Sequence, residues 1–174
     1  MIRLDQLLSN LVAALPADIA ALKIGGLSLD SRQINPGDAF VALAGQQEHG
    51  LSFAEQALAN GAVAVLHDGQ ADAPQDSRYV QIDRLASALA ELAKRCWDDP
   101  AVDMDLIAVT GTNGKSSVAW LLAQALNGGM IGTLGAGRPE RFASGTITTP
   151  DVLSLYRTLA AFKREGIRTV ALEA

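Results

Sequence analysis

The segment Thr110-Gly111-Thr112-Asn113-Gly114-Lys115-Ser116-Ser117 constrains this chain more than any other stretch. An apolar run, Leu106-Ile107-Ala108-Val109, precedes it, and a helical pattern from Val118 to Leu126 follows. Strand, glycine loop ending in Gly-Lys-Ser and helix together describe a phosphate site. Glycines let backbone N–H groups turn inward and approach phosphate oxygens. The helix start adds unpaired N–H groups and the positive end of its dipole. Lys115 supplies a point charge for β- and γ-phosphates, and the Ser116 hydroxyl suits Mg²⁺. Val109 stands where the general spacing has its first glycine, so a plain glycine-rich turn is the competing reading.

Composition narrows the partners. The 174 residues carry a net charge of −5 and no block of Lys or Arg, which argues against a nucleic-acid surface and makes any phosphate binding local. No apolar run is long enough to span a bilayer, and the N-terminus lacks a signal-peptide layout, so no membrane partner is expected. The one cysteine, Cys96, fits a reducing, cytoplasmic setting. Its place beside Trp97 in a helical pattern favours a buried structural thiol over a reactive one. A monomer is expected.

Periodicity gives an α/β class. Leu4, Leu7, Leu8, Leu11, Val12 and Leu15 predict a helix over 3–15 that Pro16 stops. Short strands are expected at 27–29, 39–43, 62–66 and 79–82, with helices at 53–60 and 84–97. Asp98-Asp99-Pro100 breaks the chain and sets a boundary between domains 1–99 and 100–174. The second is predicted as strand 105–110, the glycine loop, helix 116–126, strand 129–134, a polar connection, helix 151–164 and strand 168–173. That pattern predicts a largely parallel sheet. Three strands make it look unfinished, with Val170 and Leu172 exposed, whereas 1–99 should survive as a folded unit.

Val170-Ala171-Leu172-Glu173-Ala174 reads as a buried strand with an acid at its carboxyl end, where ligands of open α/β sheets sit. Spacing alone leaves Glu173 evenly divided between a Mg²⁺ partner and a surface carboxylate.

Thr110 to Ser116 resembles the ATP loop of the Mur ligases, a family that also has Val in place of the first glycine. Leu29-Asp30-Ser31-Arg32, then Pro36-Gly37-Asp38-Ala39-Phe40-Val41-Ala42 and Gly45, resemble the nucleotide-sugar domain of the enzymes that add the third residue and the final dipeptide. Thr148-Thr149-Pro150-Asp151 resembles the third-residue (MurE-type) branch, and Val170 to Ala174 the start of its Glu-Ala-Ser-Ser-His segment.

The resemblance implies a small α/β UDP-sugar-binding domain followed by a P-loop ATPase domain. It implies ATP and Mg²⁺ as cofactors, with UDP-MurNAc-L-Ala-D-Glu and a diamino acid (diaminopimelate or lysine) as substrates. The implied reaction is amide formation through an acyl phosphate in peptidoglycan synthesis. Gly111, Thr112, Asn113, Gly114, Lys115, Ser116 and Ser117 would hold ATP, and Lys115 and Glu173 would be catalytic. Ser116 and Glu173 would hold metal. Leu29, Ser31, Gln46, Gln47, Glu48, Thr148 and Thr149 would contact the UDP-sugar. Ser31 could instead serve a turn or cap, and Thr149 could cap the following helix, with Pro150 in its first turn. His49 reads as a loop residue and His67 as solvated. Arg32 faces Asp30 or a phosphate. The Gln46 to His49 segment varies from the family's commonest form, and the 126–130 link is shorter than usual. The family's Ser-Ser-His, modified lysine and amine-selecting motif are missing, so the 174-residue chain alone is expected to be inactive. The alternatives are the dipeptide-adding branch and a non-catalytic nucleotide-binding module.

Overall fold

The computed structural model describes residues 1–45, 47–144 and 150–174. They form two compact units, Met1–Asp98 and Asp99–Ala174.

In the first unit, β1 (Ile2–Arg3) runs into α1 (Leu4–Leu7), and α2 (Ala17–Ala20) leads to β2 (Lys23–Ile24), which pairs antiparallel with β1. The predicted 3–15 helix is therefore a single turn. The β1–β2 pairing draws Ile2 and Arg3 into extended backbone, and Asn10 adopts a left-handed φ of 65°, which ends helical continuation. Pro16 precedes α2 instead of stopping α1. The parallel sheet comprises β3 (Leu27–Ser28), β4 (Ala39–Ala42), β5 (Ala64–His67) and β6 (Tyr79–Gln81), in that order. α3 (Ala54–Ala59) covers one face, where Phe40, Ala42, Ala54, Ala57 and Val65 form a core. α4 (Leu85–Trp97) buries Leu85, Leu92 and Ala93. β4 and β5 are buried along their whole length and read as continuous apolar runs, as parallel strands covered on both faces do. His67 is the last residue of β5, paired with Ala42 and Gln81, and is buried. The expectation of a solvated His67 is corrected: the strand reaches past the apolar run and takes the imidazole in.

In the second unit, β7 (Asp105–Val109) leads through the glycine loop to α5 (Lys115–Ala125), and β8 (Gly129–Gly132) follows. β9 (Gly135–Arg138) and β10 (Arg141–Ser144) form an antiparallel hairpin where a polar connection was expected. α6 (Val152–Arg164) then returns the chain to β11 (Thr169–Glu173). The order is β10-β9-β8-β11-β7, so the sheet has five strands, not three. It is parallel on the glycine-loop side and antiparallel at the hairpin. β11 lies between β7 and β8, which buries Val170 and half-buries Leu172, so neither is the exposed apolar surface expected of them. Period-2 alternation sorts the faces. Ile131 and Val170 pack with Leu159 and Phe162 of α6, whereas Met130 and Ala171 pack with Ala119 and Ala123 of α5. Asp151 caps α6: its carboxylate accepts the N–H groups of Leu153 and Ser154 at 2.9 and 3.0 Å. The cap is this acid, one residue after Pro150: its Oδ1 accepts both orphan donors of the first turn and its Oδ2 accepts the Ser154 hydroxyl, while Thr149, expected in that role, lies outside the described residues.

Candidate functional site

The glycine loop joins the carboxyl end of β7 to the start of α5, and its residues 110–114 are exposed. Gly114 caps α5 at a φ of 77°, the left-handed region that glycine enters without steric cost. The first bond of the α5 ladder runs from the Val118 N–H to the Gly114 carbonyl at 2.9 Å. The N–H groups of Lys115, Ser116 and Ser117 therefore precede the ladder at the positive end of the helix. The Lys115 ammonium donates to the Gly111 carbonyl at 2.8 Å, which holds it against the loop.

Glu173 stands next to this loop. It pairs with Val109 in the β11–β7 register, and the Ala174 N–H donates to the Val109 carbonyl at 3.0 Å. Glu173 is 3% exposed, so it is no surface carboxylate. Its Oε2 accepts from the Thr133 hydroxyl at 2.5 Å. Its Oε1 is buried with no hydrogen-bond partner among the described residues. A charged oxygen left without a donor inside a protein is costly, and a cation is the chemistry that satisfies it. Gly132 makes the arrangement sterically possible, because a Cβ there would fall on the Glu173 carboxyl group. The unpartnered oxygen of Glu173 and the Ser116 hydroxyl are both hard oxygen ligands, and so fit Mg²⁺.

The first unit has a second candidate site at the carboxyl edge of its own sheet. Leu29 to Ser31 follow β3, Leu43 to Gly45 follow β4, and Asp68 follows β5, so parallel strands deliver all three segments to one edge. Leu29, Asp30, Ser31, Arg32, Phe53 and Gln56 line a cavity of about 520 Å³. Ser31 is buried, and its hydroxyl donates to Gln56 Oε1 at 2.7 Å, while the Asn60 amide holds the Ser31 carbonyl at 2.9 Å. Arg32 takes Asp30, through two bonds of 2.9 and 2.8 Å. That guanidinium holds the Asp30 carboxyl below the usual carboxylate range. Gln47 and Glu48 are exposed and do not line the cavity. Gln46, Thr148 and Thr149 lie outside the described residues. His49, expected as a plain loop residue, accepts the Leu51 N–H and pairs with Asp68. Gln56, Phe53, Asp68, Gly132 and Thr133 escaped sequence reasoning. Gln56 sits in a helix whose period marks only its apolar face, and the other partners are distant along the chain.

Two family descriptions match the chain. "Mur ligase family, catalytic domain" covers residues 23–97, and "Mur ligase middle domain" covers residues 109–174. The chain is 43% identical over 166 residues to the UDP-N-acetylmuramoyl-L-alanyl-D-glutamate–2,6-diaminopimelate ligase of Alkalilimnicola ehrlichii, covering 86% of this chain and 33% of that one. It is 42% identical over 160 residues to the enzyme of the same name from Pseudomonas aeruginosa, covering 87% of this chain and 33% of that one. The chain thus spans about a third of the length of these curated relatives. A solved structure of a ligase of that name superposes with a TM-score of 0.70 at 26% identity, over 99% of this chain and 36% of the other. The MurF ligase of Thermotoga maritima, solved in complex with ADP, shares the fold with a TM-score of 0.58 at 22% identity, over 87% of this chain and 32% of the other. With two Mur descriptions falling in order on its two units, and relatives at 41–43% identity along most of its length, the chain belongs to the Mur ligase family.

Proposed function

We propose that this chain serves a MurE-type ligase, which joins a diamino acid to UDP-MurNAc-L-Ala-D-Glu at the expense of ATP. The first unit would take the nucleotide-sugar and the second the triphosphate. The curated relatives' printed names favour 2,6-diaminopimelate as the amine. The observation that carries the reading is Glu173, a buried carboxylate with an unpartnered oxygen on the strand beside the glycine loop.

Bound ATP and Mg²⁺ would supply a transferable phosphoryl group and neutralise its charge, so that a carboxylate becomes open to attack by an amine. The chain's own residues do the holding. Backbone N–H groups at the start of α5 present a positive end to anionic oxygens. Lys115, which donates to the Gly111 carbonyl, would donate to a phosphate instead, exchanging a neutral acceptor for a charged one. Glu173 and the Ser116 hydroxyl are the oxygens that would hold the metal. In the first unit, Leu29 offers an apolar wall and Ser31 a hydroxyl already oriented by Gln56. Thr148 and Thr149, with Gln46 to Glu48, remain proposed contacts to the sugar nucleotide.

Titration calorimetry of the chain with UDP-MurNAc-L-Ala-D-Glu and with Mg·ATP tests this. Both should bind, and Lys115→Ala should lose ATP while keeping the UDP-substrate. Equal loss of both ligands in Lys115→Ala would contradict the assignment of one to each unit.

A further inference from the structure

We infer that His49 and Asp68 form a clamp that closes the neck between β4 and the Gly50–Phe53 turn, and so positions Gln47 and Glu48 for the nucleotide-sugar. Asp68, at the end of β5, reaches both sides of that neck. Its Oδ2 accepts the Ala44 N–H at 3.1 Å, and its Oδ1 accepts His49 Nε2 at 2.8 Å. Ala44 and His49 also face each other in an isolated antiparallel bridge. Further bonds draw the neck closed: Gly45 N–H to the Glu48 carbonyl at 3.2 Å, and Gly50 N–H to the Leu43 carbonyl at 2.8 Å. The His49 ring is committed at both nitrogens. Nδ1 accepts the Leu51 N–H at 3.1 Å, which leaves Nε2 to carry the proton it donates to Asp68.

The pair is sequestered, with side-chain exposures of 15% for His49 and 7% for Asp68. Burial pushes the Asp68 carboxyl upward, but the donors from His49, Gln70 and Ala44 outweigh it and keep the group below its ordinary value. A solvated surface loop needs no buried carboxylate to close it. One that must present Gln47 and Glu48 in a fixed place does, because an ordered loop avoids the entropy of ordering on binding. This role rests on the proposed nucleotide-sugar site.

Calorimetric titration of UDP-MurNAc-L-Ala-D-Glu into the chain, His49→Ala, Asp68→Ala and the double variant tests it. His49→Ala should bind about tenfold more weakly, the effect of losing one charge-assisted hydrogen bond, and Asp68→Ala, which also releases the Ala44 and Gln70 N–H groups, at least as much more weakly. The double variant should be no weaker than Asp68→Ala, since the two act as a unit. Singles that bind as the wild type does would overturn the clamp while leaving the sugar site standing. No binding by the wild type would overturn the sugar site, and the clamp's role with it. Nitrogen-15 shifts of His49 in the unmutated chain need no variant to fold. The Nε2-protonated tautomer is expected, and the Nδ1-protonated one would overturn the clamp.

Discussion

Replacing Thr133 by Val removes the hydroxyl that reaches the Glu173 carboxylate and changes little else in shape. The bond is 2.5 Å long, and its acceptor belongs to a side chain that is 3% exposed and already has one oxygen without a partner among the described residues. A hydrogen bond to a charged group contributes about 1.5–3 kcal/mol, and a buried acceptor deprived of its donor costs a similar amount. Thr133 itself is exposed, so water can reach the vacated position and the lower end of that range applies, about 1.5 kcal/mol. For a unit the size of Asp99–Ala174, each kcal/mol moves the melting temperature by about 4–8 °C, which predicts a fall of about 6–12 °C. The assay follows Trp120, which packs on Phe142 in this unit with ring centroids 5.4 Å apart. A Trp97→Phe background removes the first unit's signal. Thr133→Ser keeps the hydroxyl and should melt close to the wild type. A Thr133→Val unit melting within about 2 °C of the wild type would refute the reasoning, because Glu173 would then not depend on this donor.

His67 makes the first unit sensitive to pH. Burial depresses its pKa below the ordinary value, so the unfolded chain binds the proton more readily than the folded one. Stability is then full above the ordinary histidine value of about 6.5 and is lost as pH falls through that value toward the depressed folded one. Urea unfolding followed through Trp97 should show this slope between neutral and mildly acidic pH. His67→Asn retains an acceptor for the Gly69 N–H and should flatten the slope; parallel curves would contradict the assignment. Ser31→Ala should leave Gln56 Oε1 without its 2.7 Å donor and weaken UDP-MurNAc-L-Ala-D-Glu binding by about 1.5 kcal/mol or more. Unchanged affinity with an intact fold would make Ser31 a purely structural residue.

Local chemistry was legible in the sequence, and long-range partnership was not. The glycine loop, α5, β4 and α4 each declare themselves through contiguous residues, and all lie close to where periodicity put them. The helix expected over 3–15 failed because its opening residues pair with Lys23–Ile24, a contact no local pattern carries. The β9–β10 hairpin was missed because Gly135-Ala136-Gly137 has no β-branched or aromatic alternation, and the pairing itself makes the strand. Glu173 was placed at a strand end by pattern, but its burial depends on β7 and β8 flanking β11. Its partner Thr133 stands 40 residues away in sequence. Asp68 reaches Ala44 and His49 across 24 and 19 residues.

Hydrogen–deuterium exchange of the 174-residue chain tests most directly whether one chain carries two separate nucleotide sites. The amides to follow are those of each ligand's own segments, first with UDP-MurNAc-L-Ala-D-Glu and then with a non-hydrolysable ATP analogue and Mg²⁺. The sugar nucleotide should slow exchange at 29–32 and 44–49, and the ATP analogue should slow it at 110–117 and at Glu173. Protection of 110–117 by the sugar nucleotide, or no protection there by the ATP analogue with Mg²⁺, would contradict two separate sites.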